Sequence, residues 1–258
     1  MRNGLLITAG LMSALSSSWA MAQTISVQTH SLMRLPSNTS ELQLERLEVA
    51  DYGTLLIPAG LTEVKVDHLV LGHEARVAIV PGQRPFSFQI KRGELGTGSQ
   101  ITARGAPGTF TKAPLPGRNL TLRVEQLEAD VLSIDARGGS GVPGFAGLDG
   151  GNGEDPGCTF GSASRGTDGD NGGNGHEGAA GALVRLELPG NFPEDRVKVN
   201  VAGGAGGQGG AGGKGGKGGS SKGCIVYRAD GAKPGKPGQP GQPGGNGSAG
   251  SVNLVRIQ

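Results

Sequence analysis

Apolar and polar residues alternate with a period of two in short segments along most of this chain. In four other segments that alternation gives way to glycine at every third position. The alternating segments form two groups. One group ends in similar punctuation: Leu56-Ile57-Pro58-Ala59-Gly60, Ile79-Val80-Pro81-Gly82, Ile101-Thr102-Ala103-Arg104-Gly105, Ile134-Asp135-Ala136-Arg137-Gly138 and Val199-Asn200-Val201-Ala202-Gly203. The other group begins after most of these: Thr62–Val66, Phe86–Ile90, Leu120–Val124, Leu183–Leu188 and Val252–Ile257. Period two marks a half-buried strand, so the pattern predicts an all-β chain. Helical patterning is essentially absent. Only Leu42 to Val49 fits helix and strand equally.

Spacing turns these strands into a repeat. Gly60 to Gly82 is 22 residues and Gly82 to Gly105 is 23, the size of one coil of a small β-solenoid. The next intervals are 33 and 65. Every added residue falls in one place, between the strand-ending glycine and the following strand. The expectation is a stack of strand pairs with longer and longer hairpins growing from one corner.

The longest insertions are the glycine runs themselves: Gly138 to Gly153, Gly166 to Gly181, Gly203 to Gly218 and Gly235 to Gly250, each with six glycines in strict triplet phase. Three residues per turn is the geometry of an extended polyproline-II-type helix, whose glycine face lets another backbone approach closely. The runs therefore read as four antiparallel polyglycine-II rods, each near 50 Å long at about 3.1 Å per residue. The third run is nearly all Gly-Gly-x, which gives two bare faces and suits a rod touching several neighbours. The last carries Lys236-Pro237, Gln239-Pro240 and Gln242-Pro243; proline lacks a donor and suits a rod at the edge. A collagen triple helix also needs the triplet, but it needs three chains and usually many more triplets, so an intramolecular bundle is the preferred reading. Disorder, the plain expectation for glycine-rich sequence, does not account for phase kept through all four runs.

Glycine is 51 of 258 residues and aromatics are 3%, which excludes a large aromatic core. The formal charge of +2 implies no nucleic-acid partner. Residues 1–22 read as a secretory signal peptide: Met1-Arg2-Asn3, an apolar stretch from Gly4 to Leu15, and Ala20-Met21-Ala22 before Gln23. That apolar stretch is too short to cross a bilayer, so no membrane insertion is expected. Residues 23–137 read as the solenoid-like region and 138–258 as the glycine-rich bundle: a hairpin over 139–182, a strand pair over 183–202, a second hairpin over 203–250 and a final strand over 251–258. The chain is expected to be exported, to the periplasm, the cell surface or the medium. The two cysteines, Cys158 and Cys224, occupy equivalent turns of the two hairpins. An even pair in an oxidising compartment reads as one disulfide, with free thiols or an intermolecular bridge as the alternatives.

On these runs the chain resembles the polyglycine-II bundles of springtail-type glycine-rich antifreeze proteins and of receptor-binding adhesins at the tail-fibre tips of some T4-like phages. The resemblance covers roughly Gly138 to Gly250 and rests on periodicity. The adhesins display specificity in loops at the bundle tip, so the resemblance implies that Glu154–Arg165 and Ser220–Lys233 are the contact loops here. No motif carries individual receptor-contacting residues over.

Candidate chemistry is sparse. Gly150-Gly151-Asn152-Gly153-Glu154-Asp155 and Gly172-Gly173-Asn174-Gly175-His176-Glu177 are similar to calcium-binding nonapeptide turns, but they lack the tandem repetition that completes such cages. Asp168, Asp170, His176 and Glu177 are the residues that could still collect a cation. His30, His68, His73 and His176 show no metal-ligand spacing, so no cofactor or metal is expected. Polysaccharide-cleaving β-helices place acids on one face; Asp51, Asp67, Glu94 and Glu128 fall near coil corners, with nothing in the sequence to join any two. The favoured reading is a monomeric, non-enzymatic structural or adhesive protein of bacterial type. Its candidate tip residues are Phe160, Arg165, Lys222, Tyr227, Arg228 and Lys233, facing a surface, glycan or protein partner. Ice binding and a polysaccharide-active enzyme are the alternatives.

Overall fold

The computed structural model describes residues 23–36, 38–159, 161–225 and 227–258. The proposed leader, 1–22, and the candidate Phe160 lie outside them. Among the described residues the chain is all-β: the one helical element is a three-residue 3-10 turn, Glu194–Arg196. Two sheets share thirteen strands. The first has the order β1 (Thr24–Val27), β3 (Glu41–Val49), β5 (Glu63–Leu71), β7 (Phe86–Leu95), β9 (Leu120–Ala129), β11 (Leu183–Pro189) and β15 (Ser251–Ile257). The second has the order β12 (Val197–Asn200), β10 (Leu132–Asp135), β8 (Gln100–Thr102), β6 (Arg76–Ile79), β4 (Thr54–Ile57) and β2 (Leu32–Arg34). Every pairing in both sheets is parallel. The segment Leu42 to Val49, open to either reading in the sequence, lies within a strand.

Register follows the glycine spacing at three of the four steps and differs by one residue at the other, where Ala78 and Thr102 are 24 apart and Gly82 and Gly105 are 23. In the second sheet Leu56 lies beside Ala78, Ala78 beside Thr102, Thr102 beside Asp135 and Asp135 beside Asn200. Each step therefore repeats the punctuation motif one rung on, and the insertions loop out between rungs. Apolar side chains of both sheets fill one core, from Val27 and Leu47 through Leu55, Val77, Phe88 and Ile134 to Leu186. Parallel strands are covered on at least one face, and the aliphatic β-branched residues here meet that need.

The long strands of the first sheet run farther than the alternation suggested. In β5 the buried positions are Val64, Val66, Leu69 and Leu71, and in β7 they are Phe86, Phe88, Ile90 and Gly93. One extra residue sits at Glu45, Asp67, Lys91 and Glu125, where the ladder is interrupted and then resumes in register. A single insertion flips every later side chain to the other face. Because all four strands carry it at the same register position, the pairing resumes beyond it.

The four glycine runs hold neither helix nor strand, yet their backbones are joined throughout. Gly141, Gly144 and Gly147 N–H of the first run donate to the third run at Ala205, Gln208 and Ala211 O, each at 2.8 Å. Gly173 and His176 N–H of the second run donate back to Phe145 and Val142 O of the first. The second run also donates to the fourth (Gly172 to Gln239 O), the third to the second (Gly210 to Gly173 O) and the fourth to the third (Gly241 to Gly210 O), at 2.8 to 2.9 Å. The second and third runs thus bond to all three others. The first and fourth share no backbone hydrogen bond among the described residues.

Candidate functional site

The site implied by the sequence is the far end of the glycine hairpins. A lattice of backbone bonds carries the chain to it, and side chains complete that lattice toward the tip. Asp149, Asn152 and Asp155, three residues apart on the first run, accept from Lys214, Lys217 and Ser220 N–H of the third at 2.6 to 2.8 Å. Asp168, Asn171 and Asn174 of the second run do the same for Lys236, Gln239 and Gln242 N–H of the fourth, at 2.7 to 2.8 Å. Asn246 accepts from Gly206 N–H at 3.0 Å. The Asp and Asn residues with a superficial likeness to calcium turns are therefore backbone acceptors. Period three places Asp168 and Glu177 on one face of their run and Asp170 and His176 on another. Among the described residues no group of three or more acid, His or Cys side chains is placed to hold a metal.

Cys158 and Cys224 are bonded, with Cα atoms 5.7 Å apart. Beside them β13 (Lys222–Gly223) pairs antiparallel with β14 (Arg228–Ala229), and Cys224 N–H donates to Tyr227 O at 2.8 Å. Tyr227 also donates its hydroxyl to Cys158 O at 3.0 Å, so the second hairpin braces the first through a covalent and a polar contact. Arg165 pairs with Asp168 at 2.9 Å and Arg228 donates to Ser221 Oγ at 3.3 Å. Lys222 and Lys233 are exposed and form no ion pair among the described residues. The structure gathers Lys222, Tyr227 and Arg228 on the two-stranded tip and places Arg165 and Lys233 at the ends of the neighbouring runs.

One residue was missed. Ile225, between β13 and β14 and two residues before half-exposed Tyr227, is fully exposed. The available signal in the sequence is an apolar residue at a hairpin turn, where polar residues belong.

The acids proposed for catalysis mostly have structural partners. Asp51 Oδ1 accepts from His73 N–H at 2.7 Å, and Asp67 pairs with Lys91 Nζ at 2.8 Å. Glu94 meets His68 Nε2 at 2.8 Å and lies beside Glu128 of the neighbouring strand, the only two of the four paired in register. No described helix is long and apolar enough to cross a membrane. No family model matches the chain, and no curated protein or solved structure is significantly similar to it.

Proposed function

We propose that this chain is an exported structural or adhesive protein, in which a small β-solenoid carries a bundle of four polyglycine-II rods and presents its disulfide-held tip to a partner. The observation that carries this reading is a fully exposed Ile225, two residues from half-exposed Tyr227, on a tip tied down by a disulfide and a tyrosine hydroxyl. Apolar and aromatic groups on a cross-linked support, flanked here by Lys222 and Arg228, bind at low entropic cost, as at the centres of many interfaces. Export is supported by the disulfide, which persists in oxidising compartments. The regular inter-run bonds favour an intramolecular bundle over a three-chain collagen helix.

The test is a binding screen on cells and a glycan array, with wild-type protein and with Ile225→Asp. Wild type is expected to bind, and the variant to lose binding at unchanged melting temperature. Binding that survives Ile225→Asp and removal of the Tyr227 ring rejects the tip as the contact surface. No binding anywhere rejects adhesion and leaves a scaffold.

A further inference from the structure

At the foot of the bundle, far along the runs from the disulfide, lies a cleft that the tip reading does not use. Strands β8 and β10 end in the same Ala-Arg-Gly motif and in register, Thr102 beside Asp135, so Arg104 and Arg137 emerge on neighbouring rungs. Such rungs are about 4.8 Å apart, where like charges repel. One carboxylate serves both arginines. Asp135 receives Arg137 Nε and Nη2 at 2.9 and 2.8 Å and lies 3.6 Å from Arg104 Nε. One positive charge is left over. On the next rung the same position is Ala202, whose carbonyl receives Gly138 N–H at 3.0 Å. With no third long side chain there, a cleft of about 290 Å³ opens, lined by Arg104, Arg137, Ser140, Gly204 and Ala205 among others, with no acidic residue in its lining.

The bundle itself shows what this cleft accepts. Along the seam between the first and third runs, N–H groups recur every third residue. Near the tip Lys214, Lys217 and Ser220 N–H are received by side-chain oxygens of Asp149, Asn152 and Asp155. Toward the foot the facing residues become Ala146, Pro143 and Ser140, and Ala211, Gln208 and Ala205 N–H have no acceptor among the described residues. The column thus ends in open donors where the surplus arginine charge stands. We infer that this cleft binds a carboxylate-type oxyanion, with Arg104 and Arg137 supplying charge and Ala205 N–H taking the place in the column that an Asp side chain fills farther out. The open donors repeat at about 9.3 Å, three residues of an extended rod. A strand bearing several carboxylates, such as an acidic glycan, can therefore engage more than one of them.

The experiment is an amide NMR titration of the ¹⁵N-labelled protein with sodium galacturonate, a galacturonate oligomer, sodium sulfate and a neutral galactose oligomer at fixed ionic strength. Acidic probes are expected to shift the Ala205 and Ser140 amides saturably, and the neutral oligomer to leave them unmoved. Tighter binding of the oligomer than of the monomer identifies a glycan chain as the source; equal binding identifies a free small anion. Arg104→Gln, which leaves the Asp135–Arg137 pair in place, should weaken binding about tenfold. Ala202→Glu supplies an internal carboxylate and should abolish it. Ala205 and Ser140 amides that do not move with any acidic probe overturn the proposal, as does affinity unchanged in both variants. Ile225→Asp should leave this binding intact, which keeps failure here distinct from failure at the tip.

Discussion

Arg118 donates through Nη2 to the carbonyl of Leu61, 57 residues earlier in the chain, from a position only 1% exposed to solvent. The same guanidinium donates to Arg84 O at 2.9 Å and to Val80 and Ala59 O at 3.3 Å, and its Cζ lies 5.2 Å from the Phe86 ring centroid. It thereby collects carbonyls from two successive loops, 59–61 and 80–84, while standing on the third. Burial lowers its pKa, with the charge of Arg84 adding to the effect, yet a guanidinium keeps its proton. Arg118→Leu would strand these carbonyls in a dry corner and should cost about 3–5 kcal/mol. Arg118→Lys, with one compact ammonium, should recover only part of that. Urea denaturation of the two variants checks the order.

Adjacent glycines in the fourth run carry unequal burdens. A Cβ on Gly244 would overlap the carbonyl oxygen of His176 on the second run, whereas a Cβ on Gly245 meets nothing within 4 Å. Gly245 also lacks a positive φ. Gly244→Ala should destabilise the bundle by about 2–4 kcal/mol, because backbone must move to admit the methyl group. Gly245→Ala should stabilise by about 0.4–1 kcal/mol through the unfolded chain. Thermal melts of the pair test whether triplet phase, and not glycine content, holds the runs together.

Removing a side-chain acceptor should expose one amide and no other. Asn171→Ala deletes the oxygen that receives Gln239 N–H at 2.7 Å. Hydrogen exchange at Gln239 should accelerate while Gln242, still held by Asn174, keeps its protection. The bond is solvent-exposed, so the cost in stability should be about 0.5–1.5 kcal/mol. Uniform acceleration along the fourth run would instead mean that the run opens as a unit.

Cys158 and Cys224 close a loop with a sequence separation of 66. Loop-closure entropy for that length predicts about 4 kcal/mol of stabilisation, lost on reduction. Reduction should lower the melting temperature and free the tip first, because the runs behind it keep their own backbone bonds. Near-native circular dichroism with raised exchange confined to the tip amides is the expected signature.

Much of the sheet topology was legible because the punctuating glycines keep step with the register to within one residue: 22 residues separate Gly60 from Gly82, and Leu56 pairs with Ala78 at that same interval, while the 23 from Gly82 to Gly105 stand against 24 from Ala78 to Thr102. The second halves of the long strands were hidden, since the extra residue at Asp67 or Lys91 reverses the alternation that marks a strand. Arg118 was invisible for another reason. Its partners are carbonyls, which leave no trace in side-chain pattern. At the tip the cysteines were readable as equivalent turns, whereas Tyr227 bracing Cys158 depends on how two hairpins meet. The role of Asn171 or Asp149 required knowing which run lies alongside, and triplet period alone does not say that.

Acid should weaken the protein through two carboxylates in particular. Burial acts to raise the pKa of Asp135, but hydrogen bonds and charge from Arg137, with a contribution from Arg104, outweigh it and hold the group below its ordinary 3.8. Hydrogen bonding from Arg185 is the largest influence on Glu187; burial opposes it, and a hydrogen bond from Arg123 with the charge of both arginines tips the balance, holding the group below its ordinary 4.5. A group more acidic in the folded state binds fewer protons there than in the unfolded chain. Its stabilisation is therefore complete above the unfolded pKa and disappears as pH falls through the folded one. Stability should be flat in these two groups above about pH 5 and decline progressively below about pH 4.5. Asp135→Asn should lower stability at neutral pH, by leaving Arg104 and Arg137 side by side without a counter-charge, and should make the acid decline shallower. Denaturant midpoints across this range for wild type and variant decide it: an equally steep decline in the variant would show that Asp135 is not among the carboxylates that drive it.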